Sequence, residues 1–424
     1  MTAPSRVPSY AAVLRTRHAR RTFGAALLGR LSYGTVPLSL LLAVAGSTDS
    51  YAVAGTVMAL FGATSVLLSP VRAALIDRHG PRRALPPMAA AYALLLAVLA
   101  HATWEPGASG LLVGVSAAAA GACTPPLGPV MRTLWSDLLP DRRLLQRAYS
   151  LDGVAEELLY VTGPLLVGLV TSVAEPAAGI ALSAALVLSG TLALVSSPPA
   201  RAAARAVKAR PAGESRTART ARGRRGGAGL GGVIAMSAGV GLCVGSLDLL
   251  VVAFAEQSHR PGAVAWVLAA LSAGSAVGGL THGAVHWRGA DRTRLGLFVG
   301  ALALALAAAG LSPNLWLLAA AAALAGLFVA PAITTAYLIA DRSAAPDGRT
   351  RAGAWVNTAI NAGMSGGTAV AGLMVGRLPL PLCFALAAAP ALLSAAAPLM
   401  GRRARAGAAG SAARAADQPA SPAR

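Results

Sequence analysis

The stretch LIDRHGPRRAL, residues 75–85, packs an aspartate, a histidine and three arginines between two runs almost free of charge. Those runs, near 51–73 and 84–102, are each long enough to cross the ~30 Å hydrocarbon layer of a bilayer as a helix. A soluble domain carries about 25% charged residues, whereas this chain of 424 residues carries 12% and is 55% hydrophobic. Lipid is therefore its main solvent, and the charged knot is a connection between spans. Outward from it, further apolar blocks lie near 22–46, 108–132, 148–172, 177–197, 230–255, 262–286, 293–311, 314–340, 352–376 and 380–400. The pattern predicts an all-α membrane protein of twelve transmembrane helices.

A formal net charge of +20 would suit a nucleic-acid partner if the cations formed one face. They do not. Apart from Arg30, Arg260 and Arg377, the 36 lysines and arginines fall at the termini, in the even-numbered connections or at the span ends flanking them. This is the positive-inside asymmetry, which puts both termini in the cytoplasm of a multi-pass cell-membrane protein and leaves no face for nucleic acid. The six tryptophans agree: Trp104, Trp266 and Trp316 fall at expected outer ends, and Trp135, Trp287 and Trp355 at inner ends, where amphipathic rings meet headgroups.

Cys123, Cys243 and Cys383 lie inside spans without metal spacing and read as packing residues. RTRHARR before the first run imitates a secretory signal, but the run is long, holds Arg30 and precedes eleven more spans. The chain then divides into an N-terminal segment (1–21), a six-helix bundle (22–200), a flexible basic linker (201–227), a second six-helix bundle (228–400) and a low-complexity tail (401–424). The bundles repeat weakly. A shift of 206 residues superposes Pro125 on Pro331, Arg143 on Arg349 and Tyr149 on Trp355, and repeated halves imply a transporter with its site between them.

ALIDRHGPRRAL resembles the loop between spans two and three of the major facilitator superfamily, a glycine, three residues, then D-R-x-G-R-R/K. Asp77, Arg78, Gly80, Arg82 and Arg83 match, while Ala73 replaces the leading glycine and Pro81 is inserted. HWRGADRTRL, with Arg288, Gly289 and Arg292, is a degenerate counterpart in the second half. The resemblance implies two pseudo-symmetric six-helix bundles. It also implies that Asp77 is a conformational latch, facing the N-terminus of span eleven, which starts around Ala352. The alternative is that Arg78, Arg82 and Arg83 only fix topology. Gly163, Pro164 and Gly168 resemble the Gly-Pro signature of the family's proton antiporters, although Leu159 and Val167 stand where glycines are expected.

Charges inside spans are costly and mark function. Span five holds Asp152, Glu156 and Glu157, and Asp152, Glu156 and Tyr160 lie four apart on one face. Arg30 in span one is the expected partner: counted at about 1.5 Å per residue from Arg21 and Arg147, it and Glu156 both sit roughly 13 Å deep. The pair either locks two helices statically or couples transport to protons through Glu156 or Glu157. Asp248 has no cation in its span and is a substrate or proton site, or a hydrated residue near the outer end. Asn357, Asn361 and Ser365 form a polar stripe that either packs helices or lines a cavity. His282 and His286 have the spacing of a metal pair but no third ligand, so no metal is expected. GAGLGG at 227–232 follows no strand and is not a dinucleotide motif.

No nucleotide-binding loop of the G-x-x-x-x-G-K-[ST] type occurs, so the expected energy source is a proton gradient, with no cofactor and no enzymatic activity. The expectation is a monomeric secondary transporter exporting small lipophilic or cationic molecules. Uptake of a sugar or other metabolite is the rival, and a non-transporting receptor or scaffold a third reading.

Overall fold

The computed structural model describes residues 9–208 and 216–396 apart from 261, 286, 288, 289 and 346, with side chains over 9–207 and 230–396. The tail at 401–424, residues 1–8, 209–215 of the linker, and the motif residues His286, Arg288 and Gly289 lie outside the described residues.

Every span-length element is helical. A short α1 (Tyr10–Arg15) precedes the first bundle. That bundle comprises α2 (Ala19–Thr48), α3 (Tyr51–Leu67), α4 (Ser69–His79), α5 (Pro81–Ala102), α6 (Gly110–Cys123), α7 (Leu127–Leu138), α8 (Arg142–Thr171) and α9 (Pro176–Val195). After α10 (Pro198–Lys208) comes α11 (Arg216–Gln257), then α12 (Ala263–Ala284), α13 (Asp291–Ala309), α14 (Leu315–Ser343) and α15 (Arg349–Met374). A last helix, α16, spans Leu380–Ala396.

Among the described residues nine helical segments are long and apolar enough to cross a membrane, and α3–α4, bent by 41°, makes a tenth. α15 and α16 occupy the two remaining expected positions. α15 has the length, but its stripe of Asn357, Asn361 and Ser365 lowers its hydropathy, and α16 is shorter. At the ends away from the basic connections, Ser50, Ser109 and Asn314 cap α3, α6 and α14 by accepting hydrogen bonds from Val53, Leu112 and Leu317 N–H groups.

Two sequence expectations change. The linker is helical where described, as α10 and the first turns of α11, because its alanines and arginines are strong helix formers. Trp135 is no headgroup anchor: it is fully buried against Phe23, ring centroids 5.4 Å apart.

Glycine sets how close the helices come. A Cβ at Gly163 would lie 2.3 Å from the Gly34 carbonyl carbon, so α2 and α8 touch backbone to backbone. One turn towards the basic side, that approach brings Arg30 onto the acidic face of α8.

The bundles meet through α4, α7 and α8 on one side and α12, α14 and α15 on the other. Their contacts are concentrated towards the basic connections. Asp77 accepts hydrogen bonds from the Thr350 and Arg351 backbone N–H groups at 3.2 and 2.9 Å, capping α15 where the helix dipole favours an anion. Beside it, Ser136 donates to Asp341 at 3.1 Å, Arg349 reaches Asp137 at 3.4 Å, and Gln146 donates to the His282 carbonyl at 2.6 Å. Among the described residues the hydrogen bonds between bundles extend only as far as Val66–Thr358 and Glu157–Ser275. The basic side is closed.

Candidate functional site

Four charged side chains from three helices of the first bundle converge below the Gly34–Gly163 contact. Asp152 and Glu156 come from one face of α8, Arg30 from α2, and Arg132 from α7. Arg30 Nη1 donates to Asp152 Oδ1 at 2.7 Å, and Arg132 Nη2 donates to Glu156 Oε2 at 2.6 Å. The crossed contacts, Arg30 Nη2 to Glu156 Oε2 at 2.9 Å and Arg132 Nε to Asp152 Oδ2 at 3.0 Å, bring charges together without hydrogen-bond alignment. Two cations and two anions balance, as the low dielectric requires.

The four are not equally accessible. Asp152, Arg30 and Arg132 are buried, whereas Glu156 keeps 27% of its side chain exposed. Both arginines use its Oε2, and Oε1 accepts no hydrogen bond from the described residues. Glu156 borders a cavity of about 140 Å³, lined also by Tyr33, Phe61, Arg72, Tyr92, Tyr160, Asn357 and Asn361. The asparagines come from the second bundle: Asn361 donates to the Asn357 carbonyl at 2.8 Å, and Asn357 accepts from the Tyr337 hydroxyl at 3.3 Å. Asn357 and Asn361 of the α15 stripe therefore line a cavity at the seam.

Glu157, a quarter-turn from Glu156, points elsewhere and accepts a hydrogen bond from Ser275 of α12 at 3.2 Å. Asp248 on α11 is half-buried and has no ion pair among the described residues. Thus the structure gathers Arg30, Asp152, Glu156, Tyr160, Asn357 and Asn361 at one place, and leaves Glu157 and Asp248 outside it.

Gly163, Pro164 and Gly168 lie in an unbroken α8. Gly163 is the contact with Gly34, and nothing lies within 4 Å of a Cβ placed at Gly168. In the latch region Asp77 makes the contact across the seam, while Arg78, Arg82 and Arg83 are exposed. Gly80 adopts φ 80° between α4 and α5, with Ala204 Cα 3.3 Å from where its Cβ would be, so a side chain is excluded twice. His282 is buried between Trp287 and Phe298, with centroids 5.5 and 5.3 Å away.

Sequence reasoning missed two arginines. Arg132 stands at the edge of the apolar block 108–132, where a cation reads as part of the positive-inside pattern, yet it is the second cation of the quartet. Arg72 is also buried: Nη1 donates to the Gly121 and Ala122 carbonyls, each at 2.9 Å, and Nη2 to the Ser65 carbonyl at 2.5 Å. It thereby satisfies carbonyls at the α3–α4 and α6–α7 breaks, a role for which TPPLGP at 124–129 was the available signal.

Residues 22–226 match the family model described as Major Facilitator Superfamily. No curated protein sequence matches the chain. Among solved structures, a bacterial homologue of the iron transporter ferroportin in an outward-facing state is similar at 15% identity and TM-score 0.68, covering 89% of this chain and 98% of its own. The human organic anion transporter MFSD10 (TETRAN) is similar at 16% identity and TM-score 0.65, covering 90% and 99%. The E. coli fucose:proton symporter FucP is similar at 16% identity and TM-score 0.61, covering 89% and 97%. At these identities the likeness is one of fold, and it extends through both bundles. Residues 22–226 thus match the major facilitator superfamily, and the fold of both bundles, closed by Asp77 on α15, is the one shared with these solved transporters.

Proposed function

We propose that the protein exports small lipophilic or cationic molecules in exchange for protons, by alternating access in the cell membrane with both termini cytoplasmic. The observation that carries this reading is the unequal quartet. Three of its charges are buried and mutually neutralised, and the fourth, Glu156, is partly exposed and borders a cavity at the seam. One carboxylate oxygen can take a proton or a cationic donor but not both, and such exclusion is what exchange requires. With the basic side cytoplasmic, the closed seam at Asp77 corresponds to an outward-facing state. The cavity is large enough for only part of a drug-sized solute.

Reconstituted vesicles under an imposed proton gradient test the assignment. A panel of lipophilic cations should be driven against the gradient by the wild type and not by Glu156→Gln, with membrane insertion unchanged. Gradient-driven transport that survives Glu156→Gln would exclude Glu156 as the exchange site. Tyr33, Tyr160, Asn357 and Asn361 favour a second reading, coupled uptake of a hydroxylated solute, because they offer a ring of hydrogen-bonding groups. Net movement of labelled solute with the protons would select that reading.

A further inference from the structure

Arg132 touches the second bundle as well as the two acids. Its guanidinium carbon lies 3.8 Å from the centroid of the Tyr337 ring on α14. Arg132 Nη1 is buried and has no hydrogen-bond acceptor, so on that side the ring faces the cation. The ring is held in turn: Tyr337 is buried, and its hydroxyl donates to Asn357 of α15. Tyr149 on α8 donates to the Arg132 backbone carbonyl at 3.0 Å and ties α7 to α8 at that residue.

We propose that Tyr337 is a positioning residue that passes the charge state of the Arg30–Arg132–Asp152–Glu156 quartet to the seam between the bundles. The proposal rests on the transport reading above. With Glu156 ionised, the carboxylates compensate Arg132 and the ring adds little. A proton on Glu156 leaves the quartet with one uncompensated positive charge, and the negative face of a desolvated ring attracts a cation most strongly when nothing else neutralises it. The ring belongs to the opposite bundle and lies in the half of the seam that must part when the basic side opens. Protonation therefore weights that side towards closure while substrate leaves the other, and the return that carries the proton inward works against this weighting. The titratable and charged groups around Arg132 and Glu156 are Arg30 from α2, Tyr149, Asp152, Glu157 and Tyr160 from α8, and Tyr337 from α14, with Asp341 and Arg349 next beyond Tyr149.

The test is a distance measured across the basic side as a function of pH. Spin labels at Arg201→Cys on α10 and Ser343→Cys on α14, with the native cysteines replaced by alanine, report closure in full-length protein without substrate. In the parent the closed population should rise on acidification, by about tenfold relative to the open one. Tyr337→Phe, which keeps the ring, should retain that response, and Tyr337→Leu should lose it while still folding and leaking substrate without regard to the gradient. A parental response in Tyr337→Leu would overturn the proposal. So would its loss in Tyr337→Phe, which would assign the effect to the hydroxyl and Asn357. A parent whose distances ignore pH although vesicles show proton-driven transport would overturn this inference alone. A parent with no transport and an intact Tyr337-dependent distance response would overturn the transport reading alone.

Discussion

The two bundles share a path through the membrane but use their prolines and charges differently. In the first, Pro125 and Pro126 separate α6 from α7 and a bend of 41° separates α3 from α4. Arg72 spans both breaks and supplies the donors that the interrupted helices lack. In the second, the superposed Pro331 lies inside α14, which continues unbroken over 29 residues. The Leu327 carbonyl, which loses its donor to that proline, is pressed against Gly278 of α12, 2.1 Å from where a Cβ would be. One bundle breaks its helices and uses charge to build a site. The other keeps α14 whole across its proline and supplies the face that closes on the site. The proposed alternating access needs both, since a site is rigid only if its shell is, and a seam can part only if charge pairs do not cross its centre.

Mutations that exchange these roles should break the comparison. Arg132→Ala, which leaves Asp152 and Glu156 to share Arg30, should have the largest effect, a loss of about 3–5 kcal/mol from an uncompensated buried charge. Thermal unfolding in detergent would read it as a fall in midpoint well beyond that of Asp248→Asn, which removes an acid with no ion-pair partner in the second bundle. Arg72→Ala should follow at about 1–3 kcal/mol, the cost of unsatisfied buried carbonyls, and proteolysis near residues 65–70 or 122–126 should localise it. Asp77→Asn removes the charge from the α15 N-terminus, worth about 0.3–1 kcal/mol. Cysteine labelling from the basic side should then become faster by a factor of about 2–5 with little change in midpoint. Pro331→Ala should be the mildest, within about 0.5 kcal/mol, because a continuous helix accepts alanine. A collapse of Pro331→Ala as large as that of Arg72→Ala would remove the distinction between the bundles.

Some of the site was legible before folding. Asp152, Glu156 and Tyr160 share a face by spacing alone, and equal depth along two odd-numbered spans that start on the same side set Arg30 beside Glu156. Asp77 was legible through its motif and through the position of the α15 start. Asp152 as the nearer partner of Arg30, the convergence of both arginines on one Glu156 oxygen, and the Tyr337 ring across the seam were not. Each depends on how one helix is rotated against another, which hydropathy leaves open. Arg132 and Arg72 were hidden for the same reason, since a cation at the edge of an apolar block is consistent with either solvent or the core.

What the sequence by itself determined is the solvent and the path. Apolar blocks of membrane length, cations gathered in alternate connections and the DRHGPRR loop dictate helices in lipid, because a backbone without water must satisfy its hydrogen bonds internally. Tertiary structure decided which charges met. Glycine contacts such as Gly34–Gly163 set helix separation and rotation, and a buried charge is stable only where that geometry brings its counter-charge within bonding distance.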